Sequence, residues 1–249
     1  MNFLYLIRQN IPNGLTCLNL LFGVFSIIAT FEGYPVWASV FIFVAVFFDF
    51  IDGLTARLLN ARSEIGKQLD SLADLISFGL APAVIVYSFL KSVLLISHIE
   101  PDDFSVINLF ILSAPFLITV FSALRLAKFN IDSRQELEFI GLPTPANAIF
   151  FAWLPIILNQ FDLRMFFLIF NLKTLITVTI LHSFFLISPF PLFSFKIKSF
   201  LWKGNEFRYV FILVSIILVI LFNIYSVLLI IWLYLLIGIF RYLWGKIKK

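Results

Sequence analysis

Between residues 49 and 74 the chain reads DFIDGLTARLLNARSEIGKQLDSLAD. Four aspartates, Asp49, Asp52, Asp70 and Asp74, stand there in surroundings that are otherwise strongly apolar. Read as helix, Asp49, Asp52 and Ala56 fall at i, i+3 and i+7, on one face. Gly66, Asp70 and Asp74 fall at i, i+4 and i+8, on one face of a second helix. The segment between, Leu58 to Ile65, carries Asn60, Arg62, Ser63 and Glu64 and suits a short interfacial turn. Each helix therefore brings a pair of carboxylates to a shared region. Buried carboxylates repel one another and each is costly to desolvate, so a cation has to neutralise them. Two divalent metals with oxygen ligands are an economical answer, and two-metal sites suit phosphoryl-type displacement. The plainer alternative pairs the aspartates with Arg57, Arg62 and Lys67 at a helix end. Intramembrane aspartates at helical spacing favour a functional role over packing.

The rest of the chain supplies the membrane. Of its 249 residues 61% are hydrophobic and only 13% charged, more apolar surface than a soluble domain of this size needs. Helices satisfy their own backbone in lipid, so the expected class is all-α: a polytopic helical bundle in a membrane. The apolar runs place about eight spans, at 15–31, 36–58, 68–90, 106–128, 145–160, 168–188, 208–222 and 225–243, with a tight turn at Asn223 to Tyr225 dividing the last pair. Residues 1–11 form a short amphipathic interfacial helix, with Phe3, Leu4, Ile7 and Ile11 on one side and Arg8 and Gln9 on the other. Pro12-Asn13-Gly14 is expected to break it, and Thr16 to open the first span. Cys17, the single cysteine, excludes an intrachain disulfide and reads as a small packing residue. No cleavable signal peptide is evident in MNFLYLIRQN. We find no repeat and no linker; residues 1–249 read as one domain.

The pI near 9.2 does not require nucleic acid. With the N-terminus in the cytoplasm, 15 of the 18 lysines and arginines lie on the cytoplasmic side, leaving Lys91, Arg164 and Lys173 outside. That places both termini and the 57–67 turn, hence the aspartates, at the cytoplasmic face of the cell membrane. The outer loop from His98 to Asp103 reads as solvated, and His182, with no carboxylate at i±3 or i±4, as a core or interhelical residue.

Three further stretches matter. In Ile11 to Leu20, Asn13, Thr16 and Asn19 share a face near the cytoplasmic end of the first span; a helix start and these side chains suit the polar edge of a nucleotide, or a simple cap. In Ser122 to Asn130, Arg125 sits about one turn inside the membrane surface, where it suits a carboxylate or phosphate, while Lys128 and Asn130 also fit snorkelling or capping. In Phe139 to Asn147, two prolines and Gly141 give the fifth span a rigid start, and Ala146 and Ala148 permit close packing.

The spacing D-x2-D-G-x2-A-R-x8-G-x3-D-x3-D is met at Asp49, Asp52, Gly53, Ala56, Arg57, Gly66, Asp70 and Asp74. It resembles the signature of the CDP-alcohol phosphatidyltransferase family. The three stretches above, with GKQLDSLADLISFGLAPA at 66–83, resemble its bacterial and archaeal phosphatidylserine synthase branch, although Lys128 and Asn147 depart from what that branch often carries. The resemblance implies an integral membrane enzyme, a homodimer, that moves a phosphatidyl group from CDP-diacylglycerol to L-serine and releases CMP. It implies that Asp49, Asp52 and Asp70 hold one Mg²⁺ or Mn²⁺ and Asp49, Asp70 and Asp74 a second. Gly53, Ala56, Arg57, Ser63 and Gly66, with Asn13 and Thr16, would contact the CDP moiety. Asp74 would be the general base, and Arg125, with Asn130 nearby, would hold the acceptor. Glycerol 3-phosphate, an inositol phosphate or choline are alternative acceptors. From a different class, a divalent-cation transporter could use the same four aspartates.

Overall fold

The computed structural model describes residues 3–61, 63–96, 106–131, 139–160, 168–192 and 205–247. They form an all-α bundle: α1 (Phe3–Phe31), α2 (Pro35–Leu58), α3 (Glu64–Asp74), a π-helical segment (Leu75–Leu80), α4 (Ala81–Ile96), α5 (Val106–Ser113), α6 (Phe116–Ile131), α7 (Thr144–Leu158), α8 (Leu172–Ile187), α9 (Glu206–Phe222) and α10 (Ser226–Ile247). Several of these helices are long and apolar enough to cross a bilayer.

Two expectations about the first half need correction. The sequence pattern separates residues 1–11 from the first span, but α1 runs without a break from Phe3 through Pro12 to Phe31. Proline removes one backbone donor and strains one turn, but inside an apolar bundle the neighbouring hydrogen bonds hold the helix together. Cys17 is exposed on the outside of α1, so it is not a packing residue. α2 folds back antiparallel along α1 through a turn in which Gly33 takes φ 79°, with Phe22 stacked on Phe48 at 5.4 Å and near Phe41 at 6.1 Å.

The third span starts at Glu64, and its register slips after Asp74. The amide of Ala81 reaches back five residues to the carbonyl of Ile76. Pro82 follows with no N–H to offer in either register, so the slip forfeits no bond there. The fourth span is bent by 40° between α5 and α6, where Pro115 cannot continue the ladder. Phe78, Ile42, Ile85, Ile118, Phe151 and Leu154 fill the core between these helices.

The start of α7 and the end of α8 are tied by a feature the sequence does not announce. Strands β1 (Phe139–Ile140) and β2 (Pro191–Leu192) pair antiparallel, Phe139 opposite Leu192 and Ile140 opposite Pro191. Gly141, at φ 77°, donates to the Phe190 carbonyl at 3.1 Å, and a side chain on it would collide with the Leu186 carbonyl. The expected turn at Asn223 is present. Asn223 takes φ 46°, and Phe211 packs on Tyr234 at 5.8 Å, so α9 and α10 are antiparallel. Trp153 pins that turn by donating to the Ile224 carbonyl at 2.6 Å. His182 is interhelical, in line with its lack of carboxylate neighbours: its Nδ1 lies 2.9 Å from Asn147 Oδ1, against the Phe150 ring at 4.0 Å. Arg62, Arg134, Arg164, Lys196, Lys198, Lys203, Lys248, Lys249 and the 98–103 loop lie outside the described residues.

Candidate active site

The site is built where the start of α1, the end of α2, the start of α3 and the end of α6 meet at one end of the bundle. Ser63 caps α3, its hydroxyl accepting from the Gly66 amide at 3.0 Å, which fixes the helix that carries Asp70 and Asp74. The α3 start also closes tightly on α1. A Cβ at Gly66 would lie 2.9 Å from Asn13 Oδ1 and 3.0 Å from Ser63 Oγ, so the absence of a side chain there lets the two helices approach.

One carboxylate oxygen from each of Asp49, Asp70 and Asp74 lies within 4.8 Å of the other two. Asp74 is 8% exposed, and Asp49 and Asp70 are half-buried. Carboxylates this close repel one another unless a cation stands between them. Oxygens bound at about 2.0–2.6 Å to one hard divalent cation are separated by up to about 4–5 Å, so the trio fits such an ion. Asp52 stands outside this trio. It is buried, and its Oδ2 takes the Thr16 hydroxyl at 2.6 Å; that hydroxyl also lies 3.0 Å from the Pro12 carbonyl. Asn19 donates to Asp74 Oδ1 at 3.2 Å.

The simple ion-pair explanation of the aspartates does not hold for the described cations it named. Arg57 Nε donates to the Gly53 carbonyl one turn back at 2.9 Å, and Lys67 Nζ donates to the Asn130 carbonyl at 2.8 Å. Thr16 and Asn19, which donate to Asp52 and Asp74, are neutral.

Next to the aspartates opens a cleft of about 930 Å³. Asn13, Thr16, Gly53, Ala56, Arg57, Ser63 and Gly66, every residue expected to meet the CDP moiety, line it, with Asp52 and Asp70. A Cβ at Gly53 would meet nothing within 4 Å, so this glycine faces open space. Sequence reasoning assigns no site role to Phe129, Ile131, Pro12, Ala61 or Glu64, which also line the cleft; their places near the start of α1, in the turn between the aspartates and at the end of α6 are the signals for them.

The two acceptor candidates separate. Asn130 is on the cleft wall, where its side chain donates to Ser71 Oγ at 2.8 Å and ties α6 to α3. Arg125 lies one turn deeper on α6, only 6% exposed, with Nε and Nη2 buried and without a hydrogen-bond partner among the described residues. It is within electrostatic reach of Asp74 and of Tyr234 on α10. A buried guanidinium with two unpaired donors, beside a carboxylate site, is a ready receptor for a small anionic group.

Comparison with known proteins follows this geometry. The chain is 31% identical over 242 residues to the CDP-diacylglycerol–serine O-phosphatidyltransferase of Helicobacter pylori (strain ATCC 700392 / 26695), covering 95% of this chain and 92% of that one. It is 39% identical over 109 residues to the enzyme of the same name from Bacillus subtilis (strain 168), covering 43% of this chain and 54% of the relative. It is 38% identical over 142 residues to the archaetidylserine synthase of Methanothermobacter thermautotrophicus, covering 56% and 54%. These last two matches span about half the length of the relative. The family model for CDP-alcohol phosphatidyltransferases matches residues 9–185, a stretch that holds all four aspartates, the cleft and Arg125. The chain, a multi-pass membrane protein, belongs to the CDP-alcohol phosphatidyltransferase family.

Proposed function

We propose that this protein transfers the phosphatidyl group of CDP-diacylglycerol to the hydroxyl of L-serine, giving phosphatidylserine and CMP. The observation that carries the reading is the convergence of Asp49, Asp70 and Asp74 beside a cleft lined by the residues of the family signature. The names of the relatives point to the same donor and acceptor.

In this reading the cleft takes the nucleotide. Gly53 leaves room for it, Arg57 and Lys67 stand at the wall to meet phosphate charge, and Asn13 and Thr16 meet its polar edge. Asp49, Asp70 and Asp74, with Asp52 towards the cleft, hold Mg²⁺ or Mn²⁺. Such ions, when bound, polarise the pyrophosphate and neutralise the leaving CMP. Asp74 takes the proton of the acceptor hydroxyl as its oxygen bonds to the lipid-side phosphorus and the pyrophosphate P–O bond breaks. Arg125 fixes the serine carboxylate through its unpaired donors, one turn deeper than the cleft wall. We place the cleft end of the bundle at the cytoplasmic face, following the distribution of lysine and arginine. We read the whole chain as one unit, α9 and α10 included, and as a homodimer.

Labelled serine, glycerol 3-phosphate, inositol phosphate and choline, each offered with CDP-diacylglycerol to the purified protein, test the assignment by lipid product. Phosphatidylserine as the dominant lipid is the expected result. A different dominant lipid would keep the chemistry and replace the acceptor.

A further inference from the structure

The proposed base is not held by its own helix alone. Asp74 ends α3, and the π-helical segment begins at the next residue. The register slip there turns the chain beyond it, and the Asp74 carboxylate is anchored from outside its own helix. Asn19, in the middle of α1 and fully buried, provides the anchor. Its Nδ2 donates to Asp74 Oδ1 at 3.2 Å.

Asn19 is in turn fixed by the π segment. Ser77, three residues beyond Asp74, donates its hydroxyl to the Asn19 carbonyl at 2.9 Å. One turn along α1, a Cβ on Gly23 would lie 2.7 Å from the Ser77 Cα and collide with its side chain, so α1 and the π segment are in close backbone contact. Asn19 Oδ1 is buried and has no partner among the described residues. The one side-chain hydrogen bond of Asn19 among the described residues is therefore the one to Asp74. The orientation is not arbitrary. The opposite amide rotamer would set Oδ1 against an Asp74 oxygen and lose the hydrogen bond.

We propose that Asn19 is the positioning residue of Asp74. It occupies one oxygen of the carboxylate and aims the other at the acceptor hydroxyl, and Ser77 locks Asn19 to the segment that carries the base. This rests on the reading of Asp74 as the base.

The test is a double-substitution cycle in the full-length protein. Asn19→Leu keeps the approximate size and removes the donor; Asn19→Ala is the second variant if leucine does not fit. For the folded variant, kcat should fall roughly 10- to 100-fold, as expected for a misplaced reacting group. The KM for CDP-diacylglycerol should change less than about threefold, while the Mn²⁺ affinity read by electron paramagnetic resonance should weaken, because Asp74 is also one of the proposed ligands. In an Asp74→Asn background the same Asn19 substitution should cost less than about twofold, because two residues acting as a unit are not additive. Equal losses in both backgrounds would assign Asn19 a structural role and overturn the proposal. So would an unchanged kcat in the single variant. An Asp74→Asn protein with normal kcat would instead refute the base itself, and the proposal with it.

Discussion

The helices α1 to α3 and the hairpin of α9 and α10 use their surfaces differently, although α1, α2, α9 and α10 are all apolar in sequence and only α3 is polar. In the first group the buried residues include Thr16, Asn19, Asp52 and Asp74, joined across helices by hydrogen bonds. In α9 the buried residue is Phe211, while Ile212, Leu213, Ile216, Ile217, Ile220 and Leu221 are exposed. Lipid tails are as apolar as these side chains, so burying them against protein gains little. The comparison teaches that in this chain the polar residues specify how helices meet, and the apolar ones specify only that a helix spans. Tyr234 is the point where the hairpin reaches the site, through its proximity to Arg125.

Substitutions can break or sharpen that contrast. The largest effect is expected at Asp74. Asp74→Asn keeps shape and removes the base, so turnover should fall by ~10²- to 10⁴-fold, with CDP-diacylglycerol binding retained. A steady-state assay with a parallel donor-binding measurement checks it; normal turnover would remove Asp74 from proton transfer.

Arg125→Lys comes next. It keeps the charge and loses the planar fork, so the serine KM should rise roughly tenfold, equivalent to about 1.4 kcal/mol, with little change in donor KM. A normal serine KM in folded protein would reduce Arg125 to a helix anchor.

Gly53→Ala should act in the opposite sense on stability and function. The added methyl meets no protein atom, and alanine favours a helix over glycine by about 0.5–1 kcal/mol. The protein should therefore melt no lower than wild type while the donor KM rises a few-fold. Unchanged donor kinetics would show that the nucleotide does not approach Gly53.

The smallest effect is expected on the hairpin. Ile220 is 75% exposed, and Ile220→Ala should alter stability by less than about 0.5 kcal/mol and leave both KM values unchanged. A large loss measured by thermal unfolding in detergent would mean that α9 packs against something other than lipid.

Much of this is legible in the sequence because the aspartates follow helical spacing, and spacing survives folding. Asp49, Asp70 and Asp74 converge, and the residues assigned to the nucleotide line one cleft. Other features depend on partners distant in sequence. The hydroxyl that Thr16 of α1 donates to Asp52 is not readable from spacing along α2. Pro12 reads as a break, and the bundle carries the helix through it. The π segment has no periodic signature of its own, and the pairing of Phe139–Ile140 with Pro191–Leu192 joins stretches too short to show strand alternation. The bond from the Asn130 side chain to Ser71 on α3 is likewise one that position along α6 does not reveal.

The central claim is that the converged aspartates work only around divalent cations. The most direct measurement is serine-dependent CMP release by purified protein, first in excess chelator and then with Mg²⁺ or Mn²⁺ restored. The account predicts no CMP release under chelation and recovery on adding either ion. Full turnover in excess chelator would contradict it.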